Sequence, residues 1–221
     1  MAKRNRRDDF FSMIPVSAKK ILDVGCSDGS WVERMGKRDL EVIGIERDEK
    51  LYSQALKNLR RVFLADAEKF HLPYSNGYFD CIIYADILEH LVDPYNLLAE
   101  HIKYLNDEGC VIASIPNIRY YKVILRLALA GVWDYMDRGI LDKTHLRFFT
   151  LINIKELFAN AGFDIIEIRR NIIAARGIKF LNLLCFNKLK ELLVYQYYVK
   201  AVKRKNKELP YGGGKRETVE F

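Results

Sequence analysis

Residues 21–30 read Ile21-Leu22-Asp23-Val24-Gly25-Cys26-Ser27-Asp28-Gly29-Ser30, an apolar run that opens into a Gly-x-Ser-x-Gly turn. An apolar run stopped by glycine is the signature of a buried strand that ends at a sharp turn. Glycines at 25 and 29 permit that turn. Lacking Cβ atoms, they also let a ligand lie against the main chain, beside the amide-rich start of the next helix. The spacing is not the GxGxxG that brings a pyrophosphate onto a helix N-terminus, and Asp23 stands in the strand just before the turn. A phosphate is therefore disfavoured. Glu46 ends the next apolar run, seventeen residues after Gly29. A carboxylate at that place can accept both hydroxyls of a ribose.

Working outward, short β-rich runs alternate with helical stretches. Strands are expected at 21–24, 41–45, 62–64, 79–84 and 110–114, with helices at 30–37, 49–60 and 94–105 between them. Two later runs, 163–169 and 194–202, break the rhythm, and the second alternates like an edge or antiparallel strand. The expected fold is α/β, a doubly wound, seven-stranded, mostly parallel sheet with one antiparallel strand. One domain is expected over 1–205, with a lid-like insertion at about 118–145 and a flexible tail at 206–221, which carries Pro210 and three glycines at 212–214. The apolar stretch 120–131 reads equally as a lid over the strand ends or as a buried helix. Residues 172–193 read as an amphipathic helix, packed on the sheet or lying on a membrane surface.

The 221 residues are 50% apolar, 12% aromatic and 29% charged, which excludes disordered, collagen-like and coiled-coil chains. No apolar run approaches the ~18–20 residues that span a bilayer, and the start, Met1-Ala-Lys-Arg-Asn-Arg-Arg-Asp8, is too polar for a signal peptide. A cytoplasmic protein is expected. Cysteines 26, 81, 110 and 185 form no CxxC pair, so reduced thiols are expected and disulfides or structural zinc are not. The net charge of +7 lies in residues 176–221, with eleven Lys or Arg against four Glu. That basic end reads either as a solvated surface or as a contact for anionic partners, such as nucleic acid or a membrane to which the protein is peripheral.

The Asp23–Gly29 stretch resembles the glycine-rich first motif of class I S-adenosylmethionine-dependent methyltransferases. In that family the acid ending the second strand holds the ribose, matching Glu46, and an Asp after the third strand binds the adenine amino group, matching Asp66. The run Phe79-Asp-Cys-Ile-Ile-Tyr-Ala-Asp-Ile-Leu-Glu-His-Leu-Val-Asp-Pro94 resembles the family's fourth-strand motif. The resemblance implies S-adenosyl-L-methionine as cofactor, bound by Asp23, Gly25, Cys26, Ser27, Gly29, Glu46, Arg47, Asp66, Ala67, Tyr84 and Ala85. Ser27 departs from the family's usual glycine.

For activation of an acceptor, the candidate catalytic residues are His145, His90 and Glu89, because a neutral hydroxyl must lose its proton on methylation. His71 and His101 lack such a setting. Asp86-x-x-Glu89-His90 with His145 resembles the metal-binding constellation of small-RNA 2′-O-methyltransferases and ubiquinone-pathway O-methyltransferases, although the first ligand there is usually Glu. A divalent metal is thus an option, not an assignment. Residues 131–150 resemble bacterial methyltransferases associated with cell-envelope polysaccharide synthesis, implying a small-molecule or glycan-precursor hydroxyl. There Trp133, Tyr135, Phe148 and Phe149 either stack on a sugar or pack in a core. The alternatives are an RNA 2′-O-methyltransferase, for which an RNA-binding module is missing from the sequence, and a non-catalytic cofactor-binding partner protein.

Overall fold

A computed structural model describes residues 6–36, 39–173 and 189–205. Seven strands form one sheet: β1 Lys20–Val24, β2 Glu41–Glu46, β3 Arg61–Leu64, β4 Phe79–Ala85, β5 Leu105–Pro116, β6 Phe163–Ile172 and β7 Val194–Lys203. Their order is β3-β2-β1-β4-β5-β7-β6. β7 runs antiparallel to both of its neighbours, while β1 to β5 pair in parallel. The strand order reverses between β1 and β4, and such a reversal opens a crevice at the carboxyl ends of the strands.

Successive side chains point to opposite faces, so the central strands are apolar throughout because both faces are covered. Leu22, Val24, Ile43, Ile82 and Tyr84 enter one core layer, and Ile21, Val42, Cys81, Ile83 and Ile112 the other. Five α-helices complete the described chain: α1 Arg6–Phe11, α2 Glu49–Ala55, α3 Pro94–His101, α4 Tyr121–Ala130 and α5 Leu151–Asn160. The Asp48 carboxylate caps α2 by accepting from Leu51 N at 2.9 Å, Asp93 caps α3 in the same way, and Thr150 with Asn153 closes α5 in a capping box.

Helical stretches are shorter than the sequence pattern. The run from Ser30 is a 3₁₀ turn ending at Met35, α2 stops at Ala55, and α3 passes through a 3₁₀ turn, Ile102–Tyr104, into a β5 that begins at Leu105 rather than 110. Tertiary pairing is the cause, since Arg60 N donates to Val42 O, and Phe79 on β4 pairs with Leu105. The 120–131 stretch is the helix α4, but none of its residues is buried, which overturns the buried-helix reading. Cys26, Cys81 and Cys110 are free and buried, with Cys81 and Cys110 in register on β4 and β5. Most of the expected 172–193 helix, Cys185 and the 206–221 tail lie outside the described residues. Among the described residues no helix is long and apolar enough to cross a membrane.

Candidate active site

The turn after β1 is built around main-chain amides. Gly25 N and Cys26 N both donate to Ile45 O, and Gly25, Ser27 and Gly29 all take positive φ (71°, 54° and 68°). Left-handed geometry is uncommon for serine. Here it is held by the Ser27 N–H, which donates to Glu46 Oε2 at 2.8 Å, so the serine adopts the turn that the family's glycine would. A Cβ on Gly25 would lie 2.8 Å from Ile87 Cδ1, and one on Gly29 2.7 Å from Leu59 Cγ.

Glu46 does more than face a ligand. Its Oε1 accepts from Arg47 N and Asp48 N, each at 2.9 Å, in addition to the Ser27 contact. A carboxylate offers about four acceptor sites. With three filled by the main chain, roughly one remains for a ribose hydroxyl rather than the two expected.

Two cavities open at the strand ends and share Gly25 and Asp86. The first, about 250 Å³, is bounded by Asp23, Cys26, Ser27, Trp31, Ala85 and Gln196 among others. The second, about 460 Å³, is bounded by Glu46, Arg47, Asp66, Ala67, Ile87 and His90 among others. Asp66 caps its own turn by accepting from Glu68 N at 3.1 Å and stays exposed at the cavity edge. Gly29 borders neither cavity and packs under Leu59. Tyr84 also requires correction: it is fully buried in the core, with its hydroxyl 2.9 Å from His101 Nδ1, so it cannot touch a ligand in the cleft.

Asp23 is buried and accepts from Trp31 Nε1 at 2.7 Å. Burial pushes its carboxyl up to about 7; Trp31 opposes that rise and the nearby Glu46 charge adds to it. The fold favours the protonated form, so this group costs stability progressively as pH rises from its ordinary value of 3.8 to about 7.

Glu89 and His90 lie in the 3₁₀ turn Leu88–His90 after β4. His145 comes from the 142–150 segment, which is tied down where Leu146 N and Arg147 N both donate to Glu89 O, at 2.8 and 3.0 Å. His145 Nδ1 donates to Ile140 O at 3.0 Å. The neutral ring therefore presents an unprotonated Nε2, 4.0 Å from Glu89 Oε1. The His90 and His145 rings meet edge to face at 4.7 Å, and burial lowers the pKa of His90, helped by the neighbouring His145. Both oxygens of buried Glu89 lack a hydrogen-bond partner, and its carboxyl is pushed well above the usual range by burial and by Asp86.

Ligand atoms of Glu89, His90 and His145 lie within 4.8 Å of one another. A carboxylate with two imidazoles suits a divalent cation, and the orphaned Glu89 oxygens are the kind of buried acceptors that an ion satisfies. Asp86 does not join this group. Its Oδ1 accepts from Ser114 Oγ at 2.8 Å and from Gln196 Nε2, on a left-handed backbone with φ 55°. Three of the four expected metal ligands thus come together, while the fourth is turned toward β5 and β7.

The four aromatic residues of the 131–150 stretch border neither cavity: Phe149 belongs to the core, Trp133 and Phe148 pack edge to face at 5.3 Å, and Tyr135 is exposed. Sequence reasoning missed the part that α1 and the last two strands play in the site. Arg7, Phe10 and Phe11 bound the first cavity, with Phe11 stacked on Trp31 at 4.7 Å, and Asn171 and Gln196 close its far wall. The only local signal was the Arg7-Asp-Asp-Phe-Phe11 pattern, which announces a helix but not where it docks.

A phosphate-free nucleoside crevice at the switch point of a β3-β2-β1-β4-β5-β7-β6 sheet defines the class I methyltransferase architecture. A methyltransferase-domain family model matches residues 4–168. The ubiquinone biosynthesis O-methyltransferase of Psychrobacter arcticus is 28% identical over 172 residues, covering 73% of this chain and 66% of that protein. The malonyl-[acyl-carrier protein] O-methyltransferase of Geobacter sulfurreducens is 31% identical over 163 residues, covering 69% of this chain and 58% of that protein. The chain thus spans 66% and 58% of the length of these two relatives, in each case less than two thirds. Among solved structures, a SAM-dependent methyltransferase from Archaeoglobus fulgidus superimposes with a TM-score of 0.68 at 18% identity, covering 89% of this chain and 91% of that one, a likeness of fold. The chain belongs to the methyltransferase-domain family, and is a class I S-adenosylmethionine-dependent methyltransferase domain.

The cofactor carries a sulfonium and an ammonium, and a cation beside Asp23 favours the ionised carboxylate. Cofactor binding is expected to release a proton below pH 7, so affinity should strengthen by up to about tenfold per pH unit as pH rises toward 7, then level off. Calorimetry across that range, in buffers of different ionisation enthalpy, reads both effects. A pH-independent affinity in the native protein would remove Asp23 from contact with the cationic end.

Proposed function

We propose that the whole protein methylates a hydroxyl oxygen of a small-molecule or glycan-precursor acceptor. The observation that carries this reading is the cluster of Glu89, His90 and His145, in which half-buried His90 lies on the wall of the second cavity and the other two stand behind it. Asp23, Gly25, Cys26, Ser27 and Ala85 lie at the methionine end of the cofactor, and Glu46, Arg47, Asp66 and Ala67 at its adenosine end. S-adenosylmethionine supplies an already activated methyl group. What remains for the chain is to align the acceptor oxygen and take its proton. For the second task His145 has its Nδ1 proton committed to Ile140 O and its Nε2 turned to Glu89; it borders neither cavity, so taking the proton requires the ring or the 142–150 segment to shift. Glu89 faces that ring at 4.0 Å and positions it. A divalent ion held by Glu89, His90 and His145 would lower the pKa of the bound hydroxyl. The printed names of the two relatives, both O-methyltransferases, support oxygen as the methylated atom.

The test is transfer of labelled methyl to a panel of phenols, sugars, carrier-bound acids and short RNAs, with and without chelator. Label on a hydroxyl oxygen supports the reading. Label on nitrogen or carbon alone, or on the 2′-hydroxyl of RNA alone, would replace it. Loss of turnover on chelation with recovery on adding Mg²⁺ or Mn²⁺ would assign the ion, and chelator-resistant turnover would leave the histidine as the base.

A further inference from the structure

We propose that α4 and the loop after it form a docking face for an anionic lipid surface. α4 is ten residues long, below the length at which an isolated helix is stable in water, yet none of its residues is buried. Leu125 is 49% exposed and Leu129 82%, with Ile124 and Leu127 also open. Across from it the loop displays Tyr135 at 59% and Met136 at 52% exposure. A cleft of about 340 Å³ separates the two, with Val123, Val132, Met136 and Leu141 among its apolar walls. Its charged members are Lys122, Arg126 and Arg138 against Asp134, which pairs with Arg126; the loop also carries exposed Asp137, which pairs with Lys143.

An apolar centre with an exposed tyrosine and an excess of cations is the pattern of an interfacial, not a spanning, membrane contact. The charge argues against a second copy of the chain. A two-fold contact would set Lys122 and Arg138 near their own symmetry mates, whereas anionic headgroups neutralise them. Placement adds a consequence: Tyr195 borders both this cleft and the first active-site cavity, so a docked protein holds that cavity near the lipid.

The experiment is sedimentation of the full chain with vesicles of phosphatidylcholine alone, or mixed with an equal amount of phosphatidylglycerol. Binding is read without turnover, so its outcome is independent of the methylation reading. Binding to the mixed vesicles only is expected, weakened about tenfold or more both by Leu125→Glu with Leu129→Glu and by Lys122→Glu with Arg138→Glu. All four side chains are exposed, so the variants should fold; circular dichroism checks that. No binding to mixed vesicles, or equal binding by both variants, overturns the proposal. So do α4 amides already protected from hydrogen exchange without lipid, which would mean that another part of the chain covers the helix. A dimer that the leucine variant dissociates would assign the face to a second copy instead.

Discussion

Glu46→Ala is expected to weaken S-adenosylmethionine binding by about a hundredfold or more and to lower the melting temperature of the ligand-free protein. A hydrogen bond to a charged acceptor contributes about 1.5–3 kcal/mol, which accounts for one ribose contact. The remainder comes from the turn. Without the carboxylate, the amides of Ser27, Arg47 and Asp48 lose their acceptor, and Ser27 at φ 54° loses the contact made by its own amide. Left-handed strain in a non-glycine residue costs on the order of 1–3 kcal/mol unless its surroundings impose it. Calorimetry and thermal denaturation measure the two effects separately. Unaltered affinity would remove Glu46 from the cofactor site, while weakened affinity at unchanged melting temperature would mean that the three amides find other partners.

His145→Ala is expected to reduce turnover by about 10²–10⁴-fold, the usual contribution of a positioned proton acceptor, with little change in cofactor affinity. Substituting this ring leaves the backbone ties of Leu146 and Arg147 to Glu89 O in place, so the segment should keep its position. Glu89→Gln tests the same cluster with almost no change of shape. It should lower turnover too, because an amide in that place cannot exchange a proton with the ring or serve well as an anionic ligand. Full activity in His145→Ala and His90→Ala together would leave alignment with the sulfonium as the source of the rate.

The glycine turn and the seven strands were legible because each is written locally: apolar runs, punctuating glycines and acids at strand ends. Tyr84 was not. A strand covered on both faces has no polar side, so alternation shows that Tyr84 and Ala85 diverge without telling which of them meets the cleft. That Asp86 turns away from the possible metal cluster was hidden for a related reason, since the groups that hold it, Ser114 and Gln196, lie 28 and 110 residues away. The pairing of Glu89 and His90 with His145 came from resemblance and not from spacing, because nothing local to 142–150 says that its backbone docks on Glu89. Helix lengths failed where tertiary hydrogen bonds shortened them, as at Arg60.

The ends of the insertion are stapled together. Ile118 N donates to Phe149 O, Asn117 bridges Phe149, and Leu146 and Arg147 fasten to Glu89 O. Even the contact that fixes the His145 tautomer is to a main-chain carbonyl, that of Ile140. The excursion from 119 to 139 meets the His145 segment along one further strip of backbone, where Met136 N donates to Leu141 O and Lys143 N to Met136 O. Ties made by main-chain atoms survive a change of side chain, so the joints of this excursion should tolerate exchange of the exposed residues between them.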